Sequence, residues 1–161
     1  MKGNKEHGGM DFPCACCDGG MTKQDLANWE QENLKKNGFY IHAVPCSDND
    51  KFMNFHTHGF DRTWDHPDFQ IVFPIPPGAV RSIFWTIADR VKAGEKFKAG
   101  DLVEKVIKDL PVMFVTAHEG GRQLLRIIFP DKNGKFPNEK GCDRQFALQP
   151  AVEGGSYEEK Q

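Results

Sequence analysis

Hydrophobic and polar positions along the chain follow two periods. From Val80 to Val91 the apolar residues Val80, Ile83, Phe84, Ile87, Ala88 and Val91 recur at three- and four-residue steps, which predicts a helix over about 77–93 with one wide buried face. Pro76-Pro77-Gly78 precedes it, Arg90 and Lys92 put cations at its C-terminal end, and Gly94 stops it. A mostly polar helix is predicted over roughly 23–36. Thr22 caps it with Asp25 in the third position, Leu26, Trp29 and Asn33 form its inner stripe with Leu34 at the edge, and Asn37-Gly38 close it. Between and beyond the helices lie short β-branched and aromatic runs: Phe39–Val44, Phe52–Phe55, Phe69–Phe73, Leu102–Ile107, Val112–Thr116 and Leu124–Phe129. Turn-rich segments separate several of these runs, among them Cys46–Lys51, Asp109-Leu110-Pro111 and Glu119-Gly120-Gly121.

About six strands and two helices without strict β-α-β alternation predict an α+β protein. The expected architecture is a single, mostly antiparallel sheet with the long helix packed on one face and a shorter N-terminal helix. Residues 1–20 read as a mobile Cys-containing arm, 21–150 as the domain and 151–161 as a disordered tail. A chain of 161 residues fits one domain.

Charge narrows the partners. With 21 basic and 23 acidic residues and no basic stripe, nucleic acid is not an expected partner. No apolar run approaches the roughly 18 residues of a membrane span, and Met1–Phe12 lacks the apolar core of a signal peptide, so a cytoplasmic protein without membrane association is expected. In a reducing compartment the five cysteines are thiols or metal ligands. Cys14, Cys16 and Cys17 are crowded, but no second pair stands at zinc-motif spacing, which favours free thiols.

The chemistry gathers between Lys51 and Pro74. His56, His58 and His66 stand there with Asp61, Asp65 and Asp68 interleaved. In a strand His56 and His58 point the same way, about 6.5–7 Å apart along the chain, and His66 returns after a loop. Imidazoles at that spacing suit a divalent metal, zinc first by ligand type or another transition metal. If the protein is an enzyme, metal-assisted hydrolysis follows, with Asp61 and His118 as the residues to move the proton. Against this stand histidines that merely satisfy backbone groups, and a solvated turn at His118-Glu119. His42, in an otherwise apolar strand, reads as structural. The H-x-H-x-D-H pattern of metallo-β-lactamase-like hydrolases is not met, since Asp61 follows His58 by three residues and no histidine follows Asp61 directly. G-x-x-x-x-G-K-[ST], G-x-G-x-x-G and G-x-S-x-G are all missing, so nucleotide cofactors and a serine nucleophile have no support.

Several landmarks together resemble the bacterial domain of unknown function family 4262. They are Gly38-Phe39, Thr57-x-Gly59, His66-Pro67-Asp68-Phe69 and Pro76-Pro77, followed by Arg90-Val91-x-x-Gly94-Glu95-x-Phe97-x-x-Gly100-Asp101, the stretch Leu125–Pro137, and Gln149. The resemblance spans roughly 14–150 and implies no activity, because the family carries none to transfer. Many of its members read Tyr-Thr-x-Gly where this chain reads His56-Thr57-His58-Gly59, so the resemblance does not imply that the fold requires a metal. Two functions remain open. One is a metal or small-ligand site on the histidine loop. The other is a non-catalytic binding or interaction module, of the kind used in stress or phage-related accessory systems, whose small-molecule or protein partner the sequence does not specify.

Overall fold

The computed structural model describes residues 22–46 and 51–152. In chain order these form α1 (Lys23–Asn37), β1 (Tyr40–Pro45), β2 (Met53–His58), α2 (Phe60–Trp64), β3 (Asp68–Val72), α3 (Pro77–Lys92), β4 (Leu102–Val103), β5 (Val112–Glu119), β6 (Arg122–Ile128) and α4 (Arg144–Ala147). The expected N-terminal arm with Cys14, Cys16 and Cys17 lies outside the described residues, as does the tail from residue 153.

The fold is α+β, with one six-stranded sheet in the order β1-β2-β3-β6-β5-β4. The expectation of a mostly antiparallel sheet needs correction, because the sheet is mixed. β3 and β6 run parallel at its centre, pairing Phe69 with Leu125 and Gln70 with Arg126. A helical crossover allows parallel neighbours. After β3 the chain passes through α3, lays down β4 and β5 at the far edge, and only then inserts β6 beside β3.

The expectation of one long and one shorter helix also changes, since α1 has 15 residues and α3 has 16. With few apolar positions α1 buries no residue fully, and its ends are fixed locally instead. The Thr22 hydroxyl accepts the Asp25 N–H at 3.0 Å while the Asp25 carboxylate accepts the Thr22 N–H at 3.2 Å, and Gly38 ends the helix at φ 87°. The strand expected over 102–107 stops at Val103. Lys105 and Asp109 beyond it hold φ of 66° and 67°, which a strand does not tolerate. By contrast β5 runs on to Glu119, and Gly120 and Gly121, both at positive φ, turn the chain directly into β6.

The two faces of the sheet differ in character. Ile41, Phe55, Phe69, Ile71, Phe114 and Ile127 join Val80, Phe84 and Ile87 of α3 in the hydrophobic core. Side chains alternate along a strand, so the intervening residues face the other way. Register then places His42, His56, Gln70 and Arg126 in one row across β1, β2, β3 and β6. Three of these four are buried, as are Asn54 and Glu119 nearby. The segment after α4 is tied to this polar face, since Arg126 donates to the Gln149 carbonyl at 2.9 Å and the Val152 carbonyl at 2.8 Å.

Gly59 closes β2 at φ 119°, and a Cβ there would lie 2.6 Å from the Gly38 carbonyl oxygen and 2.7 Å from Leu34. The Leu34 contact is the end of a side chain and can shift, but the Gly38 carbonyl is backbone and cannot yield without moving the start of β1. Gly59→Ala is therefore expected to cost about 1–3 kcal/mol of stability, read as a fall in the urea midpoint.

Candidate metal site on the polar face

His42 on β1 lies directly opposite His56 on β2, and Tyr40 lies opposite His58. Because the pairing is antiparallel and in register, His42, His56 and His58 project from one face of two neighbouring strands. One ring nitrogen of each lies within 4.8 Å of the others. A tetrahedral zinc ion with Zn–N of about 2.0–2.1 Å holds its nitrogens about 3.3 Å apart, so a modest rotation of the side chains closes the set. His56 is fully buried, while His42 and His58 are half-buried and leave the cluster open toward solvent.

Carboxylates stand behind two of the three rings. His56 Nδ1 lies 3.2 Å from Glu119 Oε1, and His42 Nε2 lies 2.8 Å from Glu30 Oε2 of α1. A carboxylate on one imidazole nitrogen fixes the ring and raises the basicity of the other, an arrangement common behind metal-bound histidines. His58 differs, with Arg122 Nη2 3.4 Å from its Nε2. Arg122 is held by Asp68 at 3.1 Å, by Glu119 at 3.1 Å and by the Thr57 carbonyl at 2.9 Å.

Burial sets the charge states here. It holds His56 well below the ordinary imidazole pKa, with the neighbouring His58, His42 and Arg122 adding to the effect. His58 is lowered to about 2 by burial, then by Arg122 and His42. Both are thus neutral at physiological pH, the state a metal ligand needs. Asp68 moves the other way, pushed up to about 6 by burial, although the Thr57 hydroxyl, the Phe60 N–H and Arg122 all favour its carboxylate.

The sequence placed His66, Asp61 and His118 near this chemistry, and the structure locates them elsewhere. His66 is buried between α2 and β3, its Nε2 accepting the Phe97 N–H at 2.9 Å and its Nδ1 donating to the Pro67 carbonyl at 2.9 Å. Both nitrogens are used, the ring stacks on Phe69, and burial is the main cause of its lowered pKa. Asp61 is exposed at the start of α2 and accepts the N–H of Arg62. His118 is exposed, and as the neighbour of Glu119 in β5 it points to the opposite face. None of the three joins the converging group. His42, read from sequence as structural, does join it. Its role depends on the β1–β2 register, and Glu30 and Glu119 depend on tertiary contacts. The only local hint was the shared parity of Tyr40 and His42 in their strand.

These features define an α+β protein with a mixed sheet, apolar on one face and carrying a buried polar row with three clustered imidazoles on the other. The chain belongs to the family described as domain of unknown function (DUF4262), whose model matches residues 33–143. That segment includes all three clustered histidines and Glu119, whereas Glu30 precedes it. Comparison with curated proteins gave no match, and comparison with solved structures gave none either. Among the described residues no helix is long and apolar enough to cross a membrane.

Proposed function

We propose that His42, His56 and His58 bind one divalent transition-metal ion, zinc first by ligand type. The observation that carries this reading is the approach of three ligand nitrogens to within 4.8 Å on adjacent strands. Three neutral imidazoles leave the ion's double charge uncompensated and a coordination position open. An ion held there would acidify bound water or take an anionic ligand, and metal-assisted hydrolysis is the reaction class this supports. Asp61 and His118 are not members of the cluster, so neither is placed to move a proton there.

A second reading, a non-catalytic binding or interaction module, draws on Arg122. Its guanidinium already sets a positive charge beside His58, which opposes a second cation. Titration of tag-free, metal-stripped protein with Co²⁺ and Zn²⁺ decides between them. The metal reading expects one equivalent bound, a tetrahedral Co²⁺ absorption spectrum, and loss of both in His42→Ala/His58→Ala. That variant removes two half-buried rings and should stay folded. A wild-type protein that takes up neither metal would overturn the reading.

A further inference from the structure

The polar row has a direction, and its source is Arg126. A guanidinium can only donate, so the Arg126 Nε–H, 2.7 Å from Gln70 Oε1, fixes that atom as the carbonyl oxygen of the Gln70 amide. The amide nitrogen of Gln70 must then face Asn54, donating to Oδ1 at 3.3 Å. This in turn fixes the Asn54 amide, whose Nδ2 donates to Glu119 Oε1 at 3.1 Å. His56 Nδ1 now faces two acceptors, Asn54 Oδ1 at 3.1 Å and Glu119 Oε1 at 3.2 Å. An imidazole nitrogen between two acceptor oxygens must carry the hydrogen.

We infer that the relay Arg126–Gln70–Asn54–Glu119 is a positioning device that locks His56 as the Nδ1–H tautomer and turns its Nε2 lone pair outward as the ligand atom. Four side chains from four strands are spent on one proton's location. Its consequence for metal binding rests on the metal reading above, while the tautomer itself does not. Glu119 is the decisive member because it accepts from Asn54, His56 and Arg122 together, the last through Oε2 at 3.1 Å. A glutamine at 119 must present its NH₂ either to Arg122 or to His56 and Asn54, and in each case donor meets donor.

The test is long-range ¹H–¹⁵N spectroscopy of the histidine rings in metal-stripped protein, together with zinc affinity. Wild type should show His56 with its hydrogen on Nδ1. Glu119→Gln should shift His56 toward the Nε2–H form and weaken zinc binding by about 10–100-fold, the usual cost of losing such a partner. Gln70→Glu keeps the Arg126 contact but removes the donor to Asn54. It should loosen the tautomer in the same direction and serves where Glu119→Gln folds poorly. Rings that carry the hydrogen on Nε2 in wild type would overturn the inference. So would zinc binding in wild type that Glu119→Gln and Gln70→Glu leave unchanged. A wild type with the Nδ1–H tautomer but no affinity for zinc would instead overturn the metal reading and leave the relay standing.

Discussion

Arg126→Met will lower the unfolding free energy by about 3–5 kcal/mol, because three buried acceptors lose their donor at once, each at the low end of the about 1–3 kcal/mol that an unsatisfied buried group costs. Methionine keeps much of the side-chain volume, so the loss is polar rather than a cavity. The acceptors are Gln70 Oε1 and the carbonyls of Gln149 and Val152, all within 2.9 Å of the guanidinium, which is 7% exposed. At roughly 2–4 °C per kcal/mol for a chain of this size, the melting temperature should fall by roughly 6–20 °C. The last two acceptors belong to the segment that follows α4, so the damage should also be local. Amide exchange at Gln149, Ala151 and Val152 should speed up by more than global destabilisation accounts for. A variant that melts within a degree or two of wild type would show that the guanidinium does not hold this face together.

Metal-stripped protein will lose stability in mild acid. Unfolded imidazoles take up protons near 6.5, but burial keeps His56 and His58 neutral far below that value. The unfolded chain therefore binds more protons than the fold between pH 6.5 and 5, and acid drives unfolding. From pH 7.5 to 5 each imidazole contributes a loss of about 2 kcal/mol. Asp68 opposes them, since its carboxyl is raised in the fold from 3.8 to about 6 and takes up its proton there before the unfolded chain does. That returns about 1 kcal/mol over the same range, leaving a net loss of about 2–3 kcal/mol from these three groups, and His66, whose pKa burial also lowers, adds to it. Urea midpoints measured at the two pH values check the sign as well as the size. Asp68→Asn should remove the opposing contribution and steepen the acid side, whereas equal midpoints at both pH values would contradict buried neutral imidazoles.

Local pattern carried much of the fold but little of the site's assembly. The α3 stripe is visible because six apolar residues share one face, and Thr22 and Asp25 mark the start of α1 through a bond made within one turn. The strand at Phe69–Phe73 is equally legible from composition. What pairs with it is not, because the partner of Gln70 is 56 residues away at Arg126. His56 and His58 share a face by strand geometry alone, and the sequence shows it. His66 looked like the third member on spacing, but the Phe97 N–H, 31 residues on, draws its Nε2 into the core. His42 looked structural because its neighbours are apolar. Those neighbours face the other side of the sheet, and only the register of β1 against β2 reveals where His42 points.

The separation between ligands and supports along the chain has a kinetic consequence. His42, His56 and His58 belong to one antiparallel pair, β1 and β2, which can close early because its loop is short. Glu119 and Arg126 reach the row only after β3 and β6 pair across the α3 crossover, a distant and slower contact. During refolding the imidazoles are therefore expected to come together before Glu119 dictates which nitrogen His56 presents. A metal ion present at that stage meets a hairpin whose His56 ring is still free to turn. One added after the central strands have joined meets a ring already oriented.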